Sequence, residues 1–237
     1  MEHAMKEIKL KAADGSGEFS AFVWSPKNKE KAGAVLLIQE IFGVNDALRE
    51  TGASLAAQGF IAIAPDLFWR QQPGVNISDK TDAEWQQAFG LVQNFDQDKG
   101  IEDLKTTLAA ARKLPGCNGN VATMGFCLGG RLAVMMAKRA DADANISYYG
   151  VMLDNLAGEF DNISAPLMLH IAEKDEFVPP DVQEKVLDAL EDNEWVDAFI
   201  YPDVMHAFAR PGGVHYDARA ATIANGRTTE LLAEILE

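Results

Sequence analysis

Cysteine is nearly absent from this chain. Two residues in 237, Cys117 and Cys127, cannot build a disulfide framework. Nor should they pair with each other, because Val121–Gly125 between them reads as extended strand, roughly 16 Å long against a ~7 Å Cα limit for a disulfide. Histidine is scarce as well, with four residues, which shortens any search for a catalytic base. Basic residues are few: 21 Lys and Arg stand against 36 Asp and Glu, a net charge of −15. Such a surface repels nucleic acid and anionic membrane, so neither is expected as a partner. No apolar run approaches the ~20 residues of a membrane-spanning helix, and Met1–Leu10 is charged and lacks the apolar core of a signal peptide. These absences point to a cytoplasmic chain. A binding site for an anionic small molecule would need its own local cation.

What is present is ordinary for a globular chain: 48% hydrophobic and 24% charged residues, enough for one large α/β domain over 1–237. No repeat, low-complexity tract or linker divides it, and no feature sets an oligomeric state, so a monomer is the default. Apolar β-type runs alternate with helical patterns, the signature of a mostly parallel sheet covered on both faces by helices. Glu7–Leu10 and Phe19–Trp24 read as a hairpin across Asp14-Gly15-Ser16-Gly17. Further strands are expected at Ala34–Gln39, Phe60–Ala64, Val121–Gly125, Ile146–Tyr149, Leu167–Ile171 and Ala198–Tyr201, about eight in all. Helices are expected near Ala47–Gln58, Ala83–Phe95, Ile101–Lys113, Gly130–Arg139, Asp181–Leu190 and Asp217–Leu236. Arg70–Asp82 is the longest irregular stretch, and a long loop in a compact domain tends to be functional.

The fifth strand runs into Gly125-Phe126-Cys127-Leu128-Gly129, which is Gly-x-Cys-x-Gly at a strand-to-helix turn. An abrupt turn of this kind strains its central residue and leaves no room for side chains on the neighbours, hence Gly125 and Gly129. It also raises the Cys127 sulfur above the sheet edge and aims backbone N–H groups, beginning with Leu128, at an oxyanion formed there. The helix N-terminus favours thiolate. Cys117 lies in the turn Pro-Gly-Cys-Asn-Gly and is expected to be inert.

A nucleophile elbow demands an acid and then a histidine farther along, each just after a strand. After Leu167–Ile171 comes Asp175, with Glu173 and Glu176 as neighbouring acids of similar chemistry. After Tyr201 comes His206. Of the other histidines, His3 is terminal, His170 lies within a strand and His215 begins the last helical region. Cys127, Asp175 and His206 would thus meet outside the carboxyl ends of the strands, where ligands collect in such sheets. Upstream, Ala34–Gln39 ends in Glu40-Ile41-Phe42-Gly43, placing a carboxylate and a second oxyanion donor, the Ile41 N–H, at the same edge.

With Gln39-Glu40-Ile41-Phe42-Gly43, Pro65-Asp66-Leu67, the Cys127 elbow, the Asp175 loop and His206-Ala-Phe-Ala-Arg210 in order and at similar spacing, the chain resembles the dienelactone hydrolases (carboxymethylenebutenolidases) of the α/β-hydrolase superfamily. The resemblance covers essentially the whole chain, and the cysteine elbow combined with Glu40 is its most specific part. It implies an α/β-hydrolase fold and cleavage of an ester or enol lactone by a Cys127–His206–Asp175 triad without metal or cofactor. It also implies that Glu40 contacts the resting thiol and helps form the thiolate, and that Arg210 binds a substrate carboxylate. By spacing, a second family arginine falls near Trp85 and an aromatic position near Phe89. Tryptophan cannot replace a guanidinium fork, and Arg70 is the nearby candidate to compensate. Trp85 and Phe89 fit core as well as pocket lining. A thioesterase or general carboxylesterase with an apolar pocket around Trp85 is the rival enzyme reading. A redox-sensing or binding protein that keeps the elbow without turnover is the rival from another class, although a sensor would not require Asp175 and His206.

Overall fold

The computed structural model describes residues 5–27 and 30–237; His3 lies outside them, as do the first four residues of the N-terminal segment. Among the described residues, eight strands form a single sheet in the order β1-β2-β4-β3-β5-β6-β7-β8. Strands β1 (Lys6–Lys11) and β2 (Glu18–Trp24) are the antiparallel hairpin, and β2 runs antiparallel to β4 (Ile61–Pro65). From β4 through β3 (Ala32–Ile38), β5 (Cys117–Phe126), β6 (Ala144–Tyr148), β7 (Leu167–Ala172) and β8 (Val196–Tyr201) every pairing is parallel. The central strands β3, β4 and β6 are buried at every position, as expected where helices cover both faces.

Side-chain alternation along β5 separates those faces. Met124 and Phe126 share a cleft with α1 (Asp46–Gln58) and α6 (Ala218–Leu236), whereas a Cβ on Gly125 would strike the Gly129 carbonyl of α4 (Leu128–Arg139). Helices α3 (Gln97–Ala111) and α4 pack against each other on that second side. Asn45 caps α1, Thr81 caps α2 (Asp82–Gln93), and Asp217 caps α6 through side-chain oxygens that accept from the first turn. Helix α5 is Pro180–Asp188.

Boundaries differ from the sequence reading in three informative places. Helix α3 begins at Gln97, a full turn earlier than expected, because Asp96 caps it by accepting from the Lys99 N–H. Strand β5 extends back to Cys117, so Cys117 begins the strand that Cys127 follows; both thiols are free. Residues Leu153–Asn162 form a 3-10 stretch that neither the period of an α-helix nor that of a strand reveals.

The irregular Arg70–Asp82 stretch is pinned to the sheet edge. Gly74 donates to Asp66 at 2.7 Å, Ile77 donates to the Phe42 carbonyl at 3.2 Å, and the Asn45 amide donates to the Ile77 carbonyl at 3.0 Å. Gly43 sits at φ 76° with the Val75 carbonyl only 2.1 Å from where a Cβ would stand, so this approach requires glycine. No helix of the described residues is long and apolar enough to cross a membrane.

Candidate active site

Cys127 follows β5 directly and occupies φ 55°, ψ −114°, a conformation that L residues rarely adopt. The surrounding chain holds it there: its N–H donates to the Tyr148 carbonyl at 3.0 Å and its carbonyl accepts from Arg131 N–H at 3.1 Å. The two flanking glycines are sterically required. A Cβ on Gly125 would lie 1.9 Å from the Gly129 oxygen, and one on Gly129 would lie 2.2 Å from the Ile38 oxygen. The elbow therefore locks the start of α4 against the end of β3, whose continuation carries Glu40 and Ile41. Among the described residues, neither the Ile41 nor the Leu128 N–H donates to a protein acceptor. Leu128 directly follows the cysteine, and Ile41 lies three residues past the end of β3.

His206 and Asp175 come from the loops after β8 and β7. The imidazole Nδ1 and the Asp175 Oδ2 are 2.8 Å apart, and both side chains are buried. The neighbouring acids do other work: Glu173 accepts from the Asp203 N–H at 2.8 Å and Glu176 from the His206 N–H at 3.3 Å. Burial opposes protonation of His206, but negative charge on Cys127 together with the Asp175 hydrogen bond outweighs it and raises the imidazole to about 10. His206 Nε2 makes no hydrogen bond of good geometry to protein, and neither do Glu40 Oε1 and the Tyr149 hydroxyl, although all three are buried. Tyr149 follows β6 at φ 39°, with its ring 5.1 Å from His206. Burial, then the charge of Glu40, hold its hydroxyl protonated, and Cys127 adds to the effect. Both His206 and Tyr149 interact electrostatically with Cys127, and Tyr149 also with Glu40, so these buried unpartnered atoms belong to one cluster around the elbow.

The other two histidines among the described residues have partners of their own. His170 is a core residue between Tyr201 and Thr228, each 2.9 Å away, and burial lowers it to about 3. His215 precedes α6 and pairs with the His206 carbonyl at 3.2 Å.

Glu40 and Arg210 meet directly: the Arg210 Nε donates to Glu40 Oε2 at 2.6 Å. Arg210 Nη1 donates in addition to Asp79 Oδ2, which also accepts from the Val214 N–H at 3.1 Å. Burial raises Asp79, but the Val214 amide and Arg210 outweigh it and keep the carboxylate ionised. The guanidinium lies 5.0 Å from the centre of the Phe42 ring. Beside His206 is a cleft of about 140 Å³ whose lining includes Asp79, Trp85, Glu176, Phe177, Arg210 and His215. Trp85 joins this cleft from α2. Its indole N–H donates to the Asp79 carbonyl at 3.0 Å, and its ring faces Phe177 at 6.5 Å. Phe89 lies one turn on and packs 5.4 Å from Trp85, half exposed, on the rim outside the cleft lining.

Arg70 stands apart from these residues. It forms an ion pair with buried Asp103 of α3, reaches Asp14 of the hairpin loop at 3.3 Å, and lies 4.3 Å from the Trp69 ring. The expectation that it compensates for the missing arginine is corrected here: an otherwise uncompensated buried carboxylate claims its fork. Asp79, Phe177 and Tyr149 were not legible as site residues. Asp79 is 131 positions from its partner Arg210 in an irregular loop; its place in the one long loop was the available signal.

Comparison with known proteins covers nearly the whole chain. The family model described as the dienelactone hydrolase family matches residues 19–236. The chain belongs to the dienelactone hydrolase family. Among relatives, a protein of Azospirillum brasilense assigned the carboxymethylenebutenolidase name is 47% identical over 232 residues, covering 98% of this chain and all of that one. The carboxymethylenebutenolidase of Pseudomonas putida is 36% identical over 228 residues, 96% of each chain. A crystal structure from Klebsiella pneumoniae, assigned as a dienelactone hydrolase, superposes with a TM-score of 0.83 at 24% identity, covering 97% of this chain and 99% of that one. That likeness establishes the fold, the α/β-hydrolase architecture expected from the sequence. Membership establishes a dienelactone hydrolase-like hydrolase.

Proposed function

We propose that this member of the dienelactone hydrolase family cleaves an ester or enol lactone with Cys127 as nucleophile, His206 as proton carrier and Asp175 as its orienting acid. The observation that carries the reading is His206: a buried imidazole fixed at Nδ1 by Asp175 at 2.8 Å, with an unpartnered Nε2 on the side of a strained cysteine elbow. Asp175 selects the tautomer or stabilises the imidazolium, and His206 keeps Cys127 nucleophilic. The sulfur attacks the substrate carbonyl, and the Ile41 and Leu128 N–H groups receive the oxyanion. Collapse expels the alcohol or enol, which takes its proton from His206, and leaves an acyl thioester. Water, deprotonated by His206, then attacks the thioester and restores the thiol. Apart from that water, the steps use side chains and backbone N–H groups of the chain itself.

Glu40 suits the supporting part the family resemblance implies. Its carboxylate is bound to Arg210 and has one oxygen free, so it can face the thiol without bringing an uncompensated charge. Trp85 and Phe177 give the cleft an aromatic wall, which also accommodates the acyl group of a general carboxylesterase or thioesterase.

The test is hydrolysis of a chromogenic ester before and after thiol alkylation, with Cys127→Ala and Cys117→Ala alongside. Alkylation and Cys127→Ala should abolish turnover, and Cys117→Ala should leave it largely intact. A full rate in Cys127→Ala refutes the nucleophile.

A further inference from the structure

The cleft holds one permanent cation, and two carboxylates already hold that cation. Arg210 Nε is bound to Glu40 and Nη1 to Asp79. Two anions against one guanidinium leave this buried cluster negative. Glu176, which also lines the cleft, adds a further carboxylate, with His215 Nδ1 3.8 Å from it. His206 on the same wall is engaged with Asp175. An incoming substrate carboxylate would have to displace Asp79 or Glu40 from Arg210 and shed its own water against a surplus of negative charge. A neutral ester meets no such opposition.

Asp79 organises both features. Its side chain takes Arg210 and the Val214 N–H, while its backbone carbonyl takes the Trp85 indole N–H at 3.0 Å. With that donor occupied, Trp85 offers the cleft its ring, opposite Phe177, whose ring lies 4.9 Å from His206.

We infer that Asp79 is a specificity-determining residue: by committing Arg210 to an ion pair and anchoring Trp85 as a wall, it selects neutral esters or lactones with a planar or apolar group over carboxylate-bearing ones. The inference rests on hydrolysis at Cys127 and deepens it by naming the substrate class.

The experiment compares mono-4-nitrophenyl terephthalate with its methyl ester, a pair differing by one carboxylate at nearly constant shape, in which the rigid ring keeps the carboxylate from attacking its own ester. Both are assayed with the full chain and corrected for spontaneous hydrolysis. Wild-type kcat/KM should favour the neutral methyl ester by about tenfold or more. Asp79→Asn, which removes one of the two negative charges on Arg210 while keeping the shape, should shift that ratio toward the acid by about tenfold, the scale of a single charge-assisted contact. Asp79→Ser, checked by thermal melting alongside it, should do the same, and Asp79→Glu should hold the wild-type ratio. A wild-type enzyme that prefers the acid, or treats the two alike, overturns the inference whatever the variants do. So does an unchanged ratio in a folded Asp79→Asn or Asp79→Ser protein. Failure of wild type to cleave either ester is the distinct result that removes the hydrolase reading, and the inference with it.

Discussion

Cys127 combines two costs that a structural cysteine would not bear, a left-handed φ of 55° and proximity to a buried imidazole. Strain of this kind, on the order of 1–3 kcal/mol, persists only where the surroundings over-determine it. Here Gly125, Gly129 and the Tyr148 carbonyl do so. The roles assigned at the site differ in weight. His206→Ala should lower kcat more than Asp175→Ala, because His206 moves the proton and Asp175 orients it. Single-turnover rates with a chromogenic ester check the order, and a larger loss from Glu173→Ala or Glu176→Ala than from Asp175→Ala would show the wrong acid was chosen. The placing of Cys127, Asp175 and His206 after β5, β7 and β8 was legible because strand ends and loop positions follow from apolar runs. The pairing of Arg210 with Asp79 was not, because contacts across 131 positions leave no periodic trace.

At the scale of elements, small residues and one buried histidine decide how helices seat on the sheet. Gly129→Ala should push α4 off the end of β3, since its Cβ would meet the Ile38 and Gln39 carbonyl oxygens at 2.2 and 2.6 Å; overpacking of this sort costs about 1–3 kcal/mol or more. Gly226→Ala in α6 meets nothing within 4 Å and should stabilise by about 0.5–1 kcal/mol through helix propensity. Urea titrations of the two variants should move in opposite directions. His170 ties β7 to β8 through Tyr201 and to α6 through Thr228. Burial, with a smaller contribution from Arg227, lowers it to about 3, below the ~6.5 of an unfolded imidazole. On acidification the unfolded chain takes up this proton first, so the contribution is complete above pH ~6.5 and is lost as pH falls toward the folded value. Between pH 6 and 4, stability should fall by up to about 1.4 kcal/mol per pH unit more steeply in wild type than in His170→Gln. Parallel pH profiles would remove His170 from the acid response. The strands and most helices were legible because their apolar periods are strong. The 3-10 stretch Leu153–Asn162 was not, its short-range pattern matching neither period.

For the whole molecule, a net charge of −15 and a buried, already paired Arg210 act in one direction, against anions in solution and at the site. Sequence order carried the architecture, since alternation of apolar strands and helices specifies a parallel sheet and the elbow specifies its functional edge. Charge balance at the site required coordinates, because Trp85, Asp79 and Arg210 come from three separated segments. The account rests most heavily on sulfur as the nucleophile. In the Cys117→Ala protein, which retains Cys127 as its single thiol, rapid quenching during ester turnover followed by intact-protein mass spectrometry reads the intermediate directly. The account predicts one acyl group on the chain, localised by peptide mapping to Cys127, with ester hydrolysis falling in proportion as that thiol is alkylated. Hydrolysis at an undiminished rate after complete alkylation, or an acyl group on any other residue, would contradict it.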